Sequence, residues 1–403
     1  MRMKRNRATF SLAGGLLLLS LATQALAGNS IYSRIGIGLP RYTTTISAVG
    51  MGGAGMATLD RSTLHYLNPA ALSFYSITRF DGSGFMESNR IKLSDQTGEL
   101  SNSNFYSFQV AIPVKRGWGI GLGLMPYTQV AYSFTGQVKT TAYQGEQTLE
   151  GKGALTHGFL RLGGSIGSRL VFGLGLDVYF GRIERTWNLE IETVGFRNTR
   201  DIFAYYMRGL GASAGVVVRP LHSLNVGAVV SLPASLNYTT NVNFAFGPGT
   251  DIAEGTLKLP LSQGVGVSFY PSDKWLLAAD VYMQKWSSID SANIFGARTT
   301  DVIVAAFGVE FTPSTDQNEG IFRRMSYRVG FRSSNLPYLD DLGQEVQERV
   351  VTFGFTLPYY FYRSKIDFGF EFGQRGSLDK NFAEEQVFRM VVGITSGEKW
   401  FER

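Results

Sequence analysis

The segment WGIGLGLMPY, Trp118 to Tyr127, places Trp118, Ile120, Leu122 and Leu124 on one side of an extended chain and Gly119, Gly121 and Gly123 on the other. That is strict period two, the periodicity of a β-strand, whose successive side chains point to opposite faces. The pattern returns in VFGLGLDVYFG, where Phe172, Leu174, Leu176, Val178 and Phe180 alternate with Gly173, Gly175, Asp177 and Tyr179. In KIDFGFEFG the apolar set is Ile366, Phe368, Phe370 and Phe372, opposite Asp367, Gly369, Glu371 and Gly373. A soluble sandwich also alternates, so one such strand does not separate the two architectures.

Repetition separates them. Alternating segments run near 76–89, 103–114, 118–135, 154–168, 170–191, 202–219, 222–240, 254–270, 274–288, 300–312, 322–333, 346–356, 364–374 and 386–396, fourteen in all. Several exceed the roughly 9–11 residues that cross a bilayer at a tilt. Short turns (KRGW, GSR, RPLHS, PSDK) alternate with longer polar connections such as 136–153 and 334–345. Inside a bilayer every backbone N–H and C=O must be paired, so strands span it only as a closed barrel. The expected fold is therefore all-β, a 14-stranded antiparallel transmembrane β-barrel in the outer membrane of a bacterium.

The chain start agrees. MRMKRNR is cationic, FSLAGGLLLLSLA apolar, and Ala25–Ala27 a small-residue cleavage site, the three parts of a signal peptide. This divides the chain into a signal peptide (1–27), a segment without repeated alternation (28–75) and a barrel (76–403). Loss of Arg2, Lys4, Arg5 and Arg7 lowers the formal charge from +6 to +2, and the rest carries no basic run with interleaved aromatics. Nucleic acid is thereby excluded as an expected partner. There is no cysteine, and His65, His157 and His222 stand in no ligand-type spacing, so no metal, cofactor or catalytic residue is expected. The 48 glycines and 29 phenylalanines beside only 12 prolines suit long strands. Outer-membrane lipids and the barrel assembly machinery are the expected partners of such a chain, and a monomer the expected state.

Arg161, Asp177, Asp280, Arg328, Arg332, Asp367, Glu371 and Arg389 fall opposite the apolar stripe, where a lumen would be. Two readings stand: a network of paired charges that stiffens the interior, or a polar track for substrate. The pre-barrel segment contains GMGGAGMATLDRSTLHYLNPAAL, Gly50 to Leu72, with the Gly50-x-Gly52-x-x-Gly55 spacing of a dinucleotide turn. That reading requires a buried strand before the glycines and a helix after them. The polar RYTTTISAV precedes them and no clear amphipathic helix follows.

The same stretch, with Gly50, Gly53, Gly55, Asp60, Ser62, Thr63, Asn68, Pro69, Ala70 and Leu72, resembles the N-terminal hatch of the FadL-like outer-membrane transporters. LPLSQGVGVSFYPSDKWLLAADVYMQKWS is similar to a second block of that family, through Leu259, Pro260, Gly266, Trp275, Asp280, Trp286 and Ser287. SYRVGFRSSNLPY resembles a third, through Arg328, Gly330 and Pro337. The resemblance implies fourteen strands, a hatch in the lumen, and passive uptake of long-chain fatty acids or other hydrophobic compounds. It implies a route from an extracellular groove to an apolar pocket near the hatch, then out through a gap tied to a kink in the third strand. Pro126 lies in that strand and cannot donate a ladder hydrogen bond, so it marks either the kink or a polar rim. For the pocket the hatch offers Ile31, Tyr32, Ile35, Ile37, Leu39, Met51 and Met56, residues that plain packing against the wall would equally require. The alternatives are a barrel that binds proteins, such as a type IX secretion shuttle, an outer-membrane hydrolase, and an open porin. The hydrolase lacks a nucleophile signature near His157 or His222, and a hatch argues against an open pore.

Overall fold

A computed structural model describes residues 30–42, 45–60, 63–65, 67–94, 96–246, 251–290, 294–359 and 364–399. The proposed signal peptide lies outside them. Among the described residues no helix is long and apolar enough to cross a membrane. The wall is built from β2 (Thr78–Leu93), β3 (Gln96–Lys115), β4 (Trp118–Lys139), β5 (Gln144–Ile166), β6 (Leu170–Ile191) and β7 (Thr199–Leu221). It continues through β8 (Leu224–Ser231), β9 (Ala234–Asn243), β10 (Asp251–Leu259), β11 (Ser262–Ser272) and β12 (Trp275–Gln284). β13 (Val302–Phe311), β14 (Ser326–Leu339), β15 (Glu345–Tyr359), β16 (Ser364–Gly376) and β17 (Ala383–Glu398) complete it, and β17 pairs with β2 to close the ring.

Two of the wall strands are each broken by a proline. β8 and β9 both pair with β7 and are separated only by Leu232–Pro233, while β10 and β11 pair with β9 and β8 and are separated by Pro260–Leu261. Counting each broken strand once gives the closed 14-stranded antiparallel barrel expected from the periodicity. Directly opposed residues share a face, so the outward row Leu160, Leu176, Val265, Phe307, Phe331 and Phe353 forms an exposed apolar belt. Inward positions mix polar residues and glycine with apolar ones such as Val171, Ile183 and Leu276, which pack against the hatch. The entry to β2, the end of β17 and the tight turns at 116–117, 222–223 and 273–274 occupy one end, which identifies it as periplasmic.

Strand ends depart from the sequence expectation. The connections expected at 136–153 and 334–345 are largely strand: only 140–143 separates β4 from β5, and 340–344 separates β14 from β15. These segments alternate polar with polar, because they rise above the apolar belt into water, and no hydrophobic period marks them. There the outward face carries ion pairs, Lys152 and Arg182 each with Glu184. Trp286, expected within a strand at 274–288, instead sits in a 3₁₀ turn just past β12.

The described residues before β2 thread the lumen. They form a 3₁₀ turn (Ile31–Arg34), a two-residue strand β1 (Leu39–Pro40), helix α1 (Ile46–Gly50) and a second 3₁₀ turn (Pro69–Phe74). Thr45 caps α1 through its side chain, and Asn68 caps the last turn by accepting from Ala70 N–H with Pro69 at the first position. The glycines of the Gly50-x-Gly52-x-x-Gly55 motif serve backbone approach. Gly52 has φ +70°, and a Cβ there would lie 2.4 Å from the Phe331 carbonyl oxygen of the wall.

Candidate functional site

The wall is interrupted where Pro126 stands. β3 and β4 pair from Lys115↔Trp118 up to Phe108↔Leu124, and no higher rung joins them. On its other side β4 pairs with β5 along its length, with a bulge between Pro126↔Thr156 and Thr128↔Leu155. Tyr127 is the extra residue of that bulge. A bulge re-aims side chains, and Tyr127 turns into the lumen, where its hydroxyl accepts from Gln284 Nε2 of β12 at 3.2 Å. Above the break the hatch replaces β3. Leu39 and Pro40 of β1 pair with Gln129 and Thr128, and Arg41 N–H donates to the Tyr127 carbonyl at 2.9 Å.

Beside the break lies a cavity of about 120 Å³ lined by Met125, Pro126 and Tyr127. Tyr42 and Met56 of the hatch, Tyr179, Tyr282 and Leu259 of the wall, and the polar groups of His157, Arg161, Asp280 and Arg332 complete it. Its aromatic side is ordered: Tyr127 meets Tyr179 edge-on at 5.3 Å and His157 stacks on Tyr179 at 5.0 Å. Asp177 Oδ1 fixes the imidazole, accepting from His157 Nε2 at 2.8 Å. His157, which the sequence reading puts at a strand start, lies mid-strand in β5, because β5 begins ten residues before the apolar alternation does.

The inward charges form two networks that tie hatch to wall. In the upper one Glu87 receives Arg41 of the hatch at 3.1 Å and Arg389 at 2.7 Å, and Arg389 also pairs with Glu371. Arg332 links Glu371 (2.9 Å) to Glu348 (3.3 Å), and Arg375 joins Glu348 to Glu385 at 2.6 Å. Glu385 ends the chain on the hatch, accepting from Ile31 N–H at 2.7 Å and Ser30 Oγ at 2.8 Å. In the lower network Arg328 holds Glu310 (2.5 Å) and Asp367 (3.5 Å), and Lys365 reaches Thr63 of the hatch at 2.5 Å. Arg161 and Asp177 pair apart from both, at 3.9 Å. Buried charges are sustained by such mutual pairing, and all eight inward charges found in the sequence are buried.

Asp280 clasps the glycine motif directly: its Oδ2 accepts Gly55 N–H at 2.7 Å and Met56 N–H at 2.8 Å. Thr352 Oγ1 accepts Gly52 N–H and donates to the Gly50 carbonyl. Asn68 Nδ2 donates to the carbonyls of Met56, Val216 and Ala228, while its Oδ1 caps Ala70, and Pro69 and Ala70 pack against inward glycines of β5–β7. Gly53 has φ +96° and Asp60 lies near His65. Burial within the hatch pushes the His65 imidazole down to about 4, against the opposing pull of Asp60, and pushes the Tyr42 hydroxyl well up.

Of the seven hatch residues nominated for a pocket, Met56 lines the cavity. Ile31, Tyr32 and Leu39 instead pack with Ile91, Leu336 and Val346 near the upper rim, Ile37 and Ile35 pack near Trp286 and Tyr338, and Met51 sits against Leu276 and Ala278. They are the nearest apolar residues in sequence, but the hatch turns their side chains to the wall. The sequence reading missed Tyr42, Tyr127, Tyr282 and Gln284 as cavity residues. Tyr179 was legible, since it falls on the glycine side of its strand. Among the described residues no group of three His, Asp or Glu side chains is set to hold a metal.

The family model described as BamG matches residues 9–403. No curated protein sequence is similar enough to match. Among solved structures, the Ralstonia pickettii toluene transporter TbuX superposes with a TM-score of 0.61 at 14% identity, covering 88% of this chain and 98% of its own. The monoaromatic hydrocarbon channel CymD gives 0.60 at 15%, covering 89% and 99%. A Pseudomonas aeruginosa FadL homologue gives 0.61 at 12%, covering 89% and 98%. These likenesses establish the FadL-type barrel fold.

Proposed function

Because the chain belongs to the BamG family and folds as a FadL-type barrel, we propose that it is an outer-membrane channel for passive passage of hydrophobic small molecules. The observation that carries this reading is the coincidence of cavity and wall break: Met125, Pro126 and Tyr127 line the one and form the other. A solute held there is one strand's width from the bilayer. The aromatic cluster Trp187, Phe203 and Phe244, on the inward face above the cavity, supports an entry groove at the outer mouth. The charged networks hold the hatch and fill the lumen, which leaves the tyrosine cage as the path and accords with a role in transport rather than catalysis.

The cavity favours small cargo. About 120 Å³ is close to the engineered apolar cavity of about 150 Å³ that takes a benzene ring, and too small for an extended acyl chain. A single-ring aromatic or a short hydrocarbon is the class proposed. Native mass spectrometry of the purified barrel with toluene, phenol and palmitate tests it. Retention of the single-ring compounds, lost on Tyr127→Ala together with Tyr179→Ala, is expected, and preferential retention of palmitate would overturn the size argument.

A second reading, a barrel that engages other polypeptides such as the barrel assembly machinery, is supported by membership of the BamG family. Stoichiometric co-purification of an outer-membrane assembly component in mild detergent would support it. Unchanged assembly of other barrels in a deletion strain would count against it.

A further inference from the structure

The ladder break has two sides, and only one of them is covered. On β4 the hatch takes over the vacated edge through β1, Arg41 N–H and Ser33, whose Oγ exchanges hydrogen bonds with Ala131. On β3 the ladder to β2 runs from Gln96 to Ala111, but the opposite edge has no strand partner from Gln96 to Phe105. We infer that this edge, QTGELSNSNF, is an acceptor for an amphipathic β-strand of another polypeptide, which adds to β3 in antiparallel register.

Depth makes the requirement strict. Phe388, Ser88 and Ser101 stand in one cross-strand row, and Met390, Met86 and Ser103 in another. Phe388, Met86 and Phe105 are exposed members of the apolar belt. An open sheet edge does not persist in hydrocarbon, since its N–H and C=O groups find no water. Natural edges are blunted by lysine, proline or inward charge, yet between Gln96 and Phe105 the sole charge is Glu99, and no lysine or proline occurs. The inward row supplies an independent sign: Asn102 is only 8% exposed and its amide Nδ2 has no hydrogen-bond partner. A guest strand with a polar inward side chain would satisfy it.

The surroundings fix the chemistry of the guest. Outward positions must be apolar, to continue the belt beside Phe105 and Met86, and inward positions polar, to meet Asn102. Backbone hydrogen bonds supply the affinity and alternate side chains the selectivity, as in strand addition to other sheet edges. A solute or an acyl chain in the gap would satisfy neither the backbone groups nor Asn102. Occupancy by a strand would close the lateral path, so a barrel that holds a guest passes hydrophobic solutes only once the guest has left.

The chain has no cysteine, which permits a clean register test. The probe is a synthetic peptide as long as the Gln96–Phe105 edge, alternating valine with threonine and carrying one cysteine, presented to Ser101→Cys or Ser103→Cys barrels in lipid nanodiscs. Disulfide formation should peak at one peptide position and move by two positions, in the antiparallel sense, between the two variants. Val329→Cys, outward on a fully paired strand, should stay unlinked. A second measurement uses the unaltered barrel. Methylating alternate peptide nitrogens should weaken binding by about tenfold or more in one phase and little in the other, because only alternate N–H groups face a neighbouring strand. Crosslinking without register, crosslinking at Val329→Cys equal to that at Ser103→Cys, or the same loss in both methylation phases would overturn the inference. The last result would assign the gap to apolar contact alone.

Discussion

The hydroxyl of Tyr127 accepts a hydrogen bond from Gln284 Nε2 at 3.2 Å, a contact that crosses the lumen from β4 to β12. Gln284 is itself fixed, since its Oε1 accepts Trp286 Nε1–H at 3.1 Å and its Nε2 also reaches Ser262. The bulge at Tyr127 therefore delivers a tyrosine to a preset partner. Tyr127→Phe should remove that bond and cost about 0.5–1.5 kcal/mol, with little change in what the barrel binds. Tyr127→Ala should open the cage and admit two-ring solutes, measured as retained naphthalene against toluene by mass spectrometry. Equal selectivity in Tyr127→Ala and the parent would show that the cage does not set size.

Pro126→Val restores a backbone donor two residues beyond Leu124, the last residue of β4 to pair with β3. If β4 then zips further onto β3, uptake of a fluorescent hydrophobic probe by whole cells should fall roughly threefold to tenfold, the effect of about one ladder hydrogen bond. Surface abundance and heat-modifiable mobility on gels should not change. Unchanged uptake at equal abundance would leave Pro126 as a local feature of the bulge.

Asp280→Ala leaves the Gly55 and Met56 amides without their acceptor, and Asn68→Ala removes donors to three carbonyls. Each buried bond to a charged acceptor is worth about 1.5–3 kcal/mol and each neutral one about 0.5–1.5 kcal/mol. Both variants should keep the barrel and loosen the hatch, so single-channel recordings in planar bilayers should show openings absent from the parent, with Asp280→Ala the stronger. Silent recordings from both would mean that other contacts seat the hatch alone.

His65 gives the hatch a pH dependence with a definite sign. Its folded value, about 4, lies below the ordinary 6.5 because burial disfavours the imidazolium. The unfolded or unseated hatch therefore binds the proton more readily. The stabilisation is fully present above pH 6.5 and is lost as pH falls toward 4, by roughly 3 kcal/mol in all. Leak conductance should rise between pH 6.5 and 4.5, and His65→Gln should flatten that rise. A rise of the same size in His65→Gln would assign it to the carboxylates around Lys365 and Arg328.

What the sequence made legible follows from what each feature repeats. Leu174, Leu176 and Val178 announce a strand and its lipid face because a bilayer demands the same period on every strand. Asp177, Asp280 and Glu371 follow from the opposite phase. Partners are another matter: nothing near Asp280 in sequence points to Gly55 and Met56, which are brought to it by closure of the barrel around the hatch. The top of β4 beyond Thr135 and the first ten residues of β5 escaped notice because water on the outward face removes the apolar period there. Tyr127 falls in the inward phase of its strand, but nothing in the sequence marks the bulge, after which Thr128 and Val130 take the inward phase instead. Pro126 was visible as a disruption, but the sequence could not tell that β3 ends its pairing beside it.

The prolines at 126, 233 and 260 lie around the level of the cavity, whose lining includes Pro126, Leu232 and Pro260. A barrel resists ovalisation because every hoop of amides around it is complete. Here the level of the cavity lacks three donors, and above it the ladder between β3 and β4 stays open, while below it the ring is continuous. Elastic deformation concentrates where the ring is incomplete, so this protein has a compliant outer wall on a rigid inner collar. Lateral pressure from the bilayer or from a neighbour would be taken up as rocking of the outer wall on that collar. The tyrosine cage sits at the pivot, where small angular changes alter its dimensions most.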